Sequence, residues 1–154
     1  MMPLMRAEDV TAEVVLRLSK ITKDQGAETD LGVAIYQGRI HADPDMPPCC
    51  VLIEADDKPE LATGNTNAKI GQRYIVFAYL PCDPDAPNAT ARQAIRDIKR
   101  AMFLTDGKPS RNWGGRVYSV DYMGKDIGPR EDGAALVVAA VEFVVVYAEN
   151  LASP

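Results

Sequence analysis

Apolar residues recur at the three- and four-residue spacing of an amphipathic helix in two segments of the chain. The pattern predicts that the first helix has Asp9 as its N-cap and ends at about Lys20 or Lys23. Its apolar face consists of Val10, Val14, Leu18 and Ile21. The second helix is predicted to follow Asn88, another N-cap residue, and to end near Leu104. Its apolar face consists of Ala91, Ala94, Ile95, Ile98 and Met102. Each helix therefore has one face to bury.

Five further segments are apolar and bounded by glycine, proline or polar runs, which is typical of β-strands. They cover residues 31–40, 49–55, 73–80, 116–122 and 134–149. The last segment is the longest, and it contains six valines. Because β-branched side chains lose rotamer freedom in a helix, the valines favour a strand, and a helix is the minor alternative.

Polar and proline-rich segments separate these elements. Residues 41–48 contain three prolines and are predicted to form an irregular loop. Residues 56–71 are predicted to form a long polar connection, which we expect to be mobile in the isolated chain and to become ordered against a neighbouring protein. Residues 104–115, which carry Trp113, are predicted to form a second irregular loop, and residues 123–133 a hairpin loop.

The order of elements is α-β-β-β-α-β-β, without an internal repeat or a change in composition that would mark a second domain. The chain has 154 residues, 47% of them hydrophobic and 25% charged, which suffices for one ordinary globular core. The simplest arrangement of these elements is a sheet with both helices on one face. We therefore predict a single domain over residues 1–154 in the α+β class, with a mixed or antiparallel β-sheet and two α-helices packed on one face.

The net charge of the chain is −5, but the charges are unevenly distributed. Residues 88–116 contain seven basic and two acidic residues, a net charge of +5, which leaves −10 on the remainder. The pattern indicates either a solvated helix face with an adjoining loop, or a surface that docks on an acidic partner or on phosphates. We call this candidate interface the basic surface. It consists of Arg92, Arg96, Lys99, Arg100, Lys108, Arg111, Trp113 and Arg116.

Few residues of the chain could perform chemistry. His41 is the single histidine. The other candidate metal ligands are Cys49, Cys50, Cys82, Asp43 and Asp45. They do not have the paired spacing of zinc sites, and a cysteine nucleophile would need a positioned base that one histidine scarcely provides. We therefore expect no catalytic residue, no metal and no cofactor.

The ends and apolar runs of the chain bear on its location. The N-terminus lacks the positive start and apolar stretch of a secretion signal. The longest uncharged apolar run, residues 134–141, is too short to span a bilayer. With three cysteines, an odd number, we expect reduced thiols, no membrane and a cytoplasmic origin.

Residues 134–149 are so apolar that a strand formed by them needs cover on both faces. Helices on one side of a sheet cover only one face. Two interpretations are therefore open: a central strand with unusually complete cover within the chain, or a strand that another subunit partly buries.

The order of these elements resembles the tail terminator proteins of long-tailed bacteriophages along nearly the whole chain. The segments that carry the resemblance are the N-terminal helix, the strand after paired prolines (Pro47-Pro48-Cys49-Cys50-Val51-Leu52-Ile53), the strand over residues 73–80, the helix over residues 91–104 and the closing hairpin, Gly115-Arg116-Val117-Tyr118 with Val141-Glu142-Phe143-Val144-Val145-Val146-Tyr147.

The resemblance implies a homo-oligomer that forms a hexameric ring at the head-proximal end of the tail tube, in a virion made in the bacterial cytoplasm. Such a ring stops tube polymerisation and provides a docking surface for the neck, with DNA passing through its centre. The implied partners are the tail tube protein and the neck or head-completion protein, with the tail sheath protein as a further candidate. The resemblance implies neither enzyme activity nor a cofactor.

Two other functions stay open. A different neck or head-closure subunit would share the class and differ in its partner. A small cytoplasmic enzyme or ligand-binding domain would use Cys82, Asp83 and Asp85 at the mouth of a pocket.

Overall fold

The computed structural model describes residues 2–38, 48–60, 66–129 and 133–154, which form a layer of two helices on a sheet. The helices are α1 (Ala7–Ser19) and α2 (Pro87–Phe103). The strands, in chain order, are β1 (Ile35–Gln37), β2 (Cys49–Glu60), β3 (Asn67–Pro81), β4 (Leu104–Thr105), β5 (Lys108–Pro109), β6 (Ser119–Ile127) and β7 (Leu136–Asn150). The predicted α+β class is confirmed.

Five strands form the main sheet in the order β1-β2-β3-β7-β6. β1 is parallel to β2 and the other neighbours are antiparallel, so the sheet is mixed. β3 and β7 are both 15 residues long and pair along their whole length at the centre of the sheet. The prediction of a strand for residues 134–149 is confirmed, and the helix alternative is wrong.

Both helices bury their predicted apolar faces against one face of the sheet. The buried apolar residues of the two helices are Val10, Val14, Leu18, Ala91, Ala94, Ile95, Ile98 and Met102. Alternate residues of β3 and β7 point toward them, as the two-residue period of a strand requires. Among these, the rings of Tyr74 and Phe143 are stacked, with their centres 5.5 Å apart. The other alternate set points away from the helices.

Both helices begin earlier than the sequence predicts. Arg6 is the N-cap of α1, and Asp9 instead occupies the third helical position, where its carboxylate accepts the backbone N–H of Arg6 at 3.4 Å. α2 begins at Pro87, ahead of Asn88. Proline suits the first helical position because its fixed φ is helical and the N–H it lacks would have no partner there.

The prediction of a long connection over residues 56–71 is wrong. β2 continues to Glu60 and β3 begins at Asn67, with Lys58 opposite Gly71 and Glu60 opposite Lys69. The hypothesis of a mobile segment over this range therefore fails where residues 56–60 and 67–71 pair as strands. β1 pairs only with residues 50–52, so this end of β2 is an exposed edge of the sheet, and its polar composition follows exposure and not irregular backbone.

Other boundaries also move. Residues 31–33 form a 3₁₀ turn, which leaves only three residues for β1. Residues 104–109, predicted as loop, contain the β4–β5 hairpin, whose turn residues Asp106 and Gly107 both have positive φ as a tight two-residue turn needs. β6 covers residues 119–127 and continues past a bulge at Gly124, so the loop before β7 is shorter than predicted. Residues 41–47 of the predicted proline-rich loop lie outside the described residues.

Candidate interaction surface

Arg17, on the buried side of α1, holds the segment that follows α2. Its guanidinium donates to the carbonyls of Ala101 and Leu104, at 3.1 and 2.8 Å, and to Thr105 Oγ1 at 3.1 Å. It also forms an ion pair with Glu13 at 2.9 Å. Burial lowers the pKa of Arg17 and Glu13 opposes this shift, so the group stays charged. It thus satisfies carbonyls at the end of α2 that have no helical partner.

Trp113 lies beneath this arginine. The Arg17 guanidinium is 4.7 Å from the centre of the indole ring, and the indole N–H donates to the Met102 carbonyl at 3.0 Å. Only 1% of Trp113 is exposed. Trp113 therefore belongs to the core, and it is not part of the exposed basic surface to which the sequence assigned it.

Glu28 neutralises two members of the basic surface. Arg96 donates to both of its carboxylate oxygens at 2.8 Å, and Arg100 donates to one of them at 3.1 Å. The hydrogen bonds from Arg96, with those from Arg100, lower the pKa of Glu28 to about 2 against the opposing effect of desolvation. The neighbouring Asp97 is buried and accepts the backbone N–H groups of Glu28 and Thr29 at 3.0 and 2.8 Å. These contacts tie the segment after α1 to α2.

Three further cations of the basic surface also have partners within the chain. Arg111 binds Asp121 at 2.7 Å. Arg116 binds Glu13 at 2.8 Å, so that Glu13 holds two arginines. The Lys99 ammonium lies 4.6 Å from the centre of the Tyr122 ring.

Arg92 and Lys108 are exposed, and the described residues give neither of them an ion pair. They are far apart, because the helical residues from Arg92 to the end of α2 alone span about 16 Å at 1.5 Å per residue. The structure does not gather the predicted residues into one cationic cluster. Most of the basic surface serves contacts within the chain.

An exposed apolar surface that the sequence analysis missed lies on the outward side of α1. We call it the leucine surface, and it consists of Leu4, Ala12, Leu16 and Leu104. Leu4 and Leu16 are 51% and 50% exposed. A groove of about 790 Å³ runs between α1 and the segment after α2, and a second groove adjoins it along Glu13, Leu16 and Arg116. The sequence does contain an indication of this surface, because Leu16 is apolar but lies outside the spacing of the buried face of the helix.

Cys49, Cys50 and Cys82, all within the described residues, form no disulfide. Cys49 and Cys50 are fully buried, and desolvation, with a smaller effect of Cys49, raises the pKa of Cys50 to about 12. Cys82 is half-buried, and its S–H points to the Ala134 carbonyl at 3.9 Å. Because of its high pKa, the Cys50 thiol is not a nucleophile near neutral pH.

Asp83 and Asp85 form a turn, in which an Asp83 side-chain oxygen accepts the backbone N–H of Asp85 at 2.9 Å. Neither of the two grooves includes these acids or Cys82. His41, Asp43 and Asp45 lie outside the described residues. Within the described ranges, no three His, Cys, Asp or Glu side chains are grouped as metal ligands would be.

Neither helix of the described chain combines the length and apolarity that crossing a bilayer demands. No protein-family model and no curated protein matches the sequence. A solved structure does match: a chain from the virion of a native gene transfer agent particle superposes with a TM-score of 0.53 at 16% sequence identity. The match covers 89% of this chain and 96% of that chain. Over nearly its whole length, the chain therefore shares its fold with a chain from a gene transfer agent virion.

Proposed function

We propose that this chain is a structural virion protein that caps the head-proximal end of a phage tail tube as a ring. The observation that carries the proposal is the fold shared with the gene transfer agent virion chain. The coverage supports a counterpart of the whole chain, because neither protein has a large part without an equivalent in the other. The resemblance of the sequence to tail terminator proteins supports the more specific role.

The surface of the chain fits a role in assembly better than one in catalysis. Half-exposed leucines occupy the outward side of α1, whereas Cys49 and Cys50 are buried and Asp83 and Asp85 are engaged in a turn. In this role copies of the chain form a closed ring, hexameric by the resemblance, that contacts the tail tube on one side and the neck on the other. The tail sheath protein is a further candidate partner, and DNA passes through the centre of the ring.

The role can be tested by electron microscopy of particles produced with the gene intact, deleted and restored from a plasmid. A missing cap leaves tube polymerisation without a stop, so deletion should give overlong tubes of variable length and heads without tails. Restoration with the Cys82→Ser variant should give normal tails, because the proposed role uses no thiol.

The alternatives predict different particles. Tails of normal length that fail to join heads would overturn the capping role in favour of a neck or head-closure subunit. Normal particles after deletion would overturn both. Failure of Cys82→Ser to restore tails, with the variant folded, would also count against a purely structural role.

A further inference from the structure

We draw no further inference here: the strongest candidate, the groove of about 790 Å³ between α1 and the segment after α2, carries nothing, because its three arginines are paired with acids of the chain itself and nothing in the described part of the structure shows what covers its exposed leucines.

Discussion

The guanidinium of Arg17 lies 4.7 Å from the centre of the Trp113 ring, and this contact joins α1 to the segment that follows α2. A cation over an indole face is attracted by the electrons of the ring. The same guanidinium also binds two carbonyls at the end of α2. One buried arginine thus fixes the position of Leu104, which belongs to the leucine surface.

Replacing Arg17 by methionine should lower the free energy of unfolding by about 3 kcal/mol, because two carbonyls and Thr105 lose their donor in a buried site. Urea denaturation followed by the fluorescence of Trp113 measures the loss. Arg6→Met is the control: the Arg6–Glu8 pair is largely exposed, and we expect a change of about 0.5 kcal/mol or less. Similar losses for the two variants would contradict the role of Arg17.

The Glu28 carboxylate should contribute a pH-dependent part of stability. Because its pKa is lowered from 4.5 to about 2, the contribution is complete above pH 4.5 and is lost as the pH falls toward 2. The unaltered chain should therefore be more stable than Glu28→Gln at neutral pH, and this difference should vanish between these two pH values. Urea midpoints measured over that range test it.

Arg96→Gln provides the second arm of this experiment. Arg96 donates two of the three hydrogen bonds that the described residues give to the Glu28 carboxylate. In the Arg96→Gln background, the Glu28→Gln substitution should therefore have a smaller effect with a weaker pH dependence. An undiminished pH dependence would show that another group causes it.

Core positions could be predicted from the sequence, because the side chains that a helix or strand buries recur at the regular spacing of that element. The faces of α1 and α2 and the strand at residues 134–149 follow directly from spacing and β-branching. Residues 56–60 misled the prediction, because an exposed end of an edge strand has the polar composition of a loop. The composition of a segment indicates how exposed its side chains are. It indicates a strand only where one face of that strand is buried.

The basic surface shows a different limit of the sequence. Seven cations within residues 88–116 suggest one electrostatic surface, but their partners lie outside that range: Glu28 and Glu13 come from the N-terminal part of the chain, and Asp121 follows the range. Charge counted along a sequence omits such partners. The sequence placed Trp113 on the basic surface for a similar reason. Its hydrogen bond to the Met102 carbonyl and its contact with Arg17 exist only once α1 and α2 are packed together.

The three cysteines should react at different rates with a thiol reagent in the folded protein. Cys49 and Cys50 are 0% exposed, and burial raises the pKa of Cys50 to about 12, so both should react only after unfolding. Cys82 is half-buried and should react first. At pH 8, a chromogenic disulfide should therefore show one fast equivalent, and Cys82→Ser should abolish it. Two or three fast equivalents in the native chain would contradict the burial of the vicinal pair.

The last prediction concerns Gly32, which lies against the end of α1. A Cβ at this position would be 2.4 Å from the Leu18 carbonyl oxygen and 2.7 Å from that of Ser19. The Gly32 N–H also donates to the Ile21 carbonyl at 2.8 Å, so the close approach is held by a hydrogen bond. Gly32→Ala should therefore lower the free energy of unfolding by about 2–3 kcal/mol, because backbone atoms must move apart.

Gly128→Ala is the matched control for this substitution. The nearest atom to a Cβ at Gly128 is the Val138 carbonyl oxygen at 3.7 Å, an ordinary contact. We expect this variant to differ from the unaltered chain by about 0.5 kcal/mol or less in the same urea titration. If both alanine variants had the same stability, the turn at residues 31–33 could not lie as close to α1 in solution, and the start of β1 would need a different path.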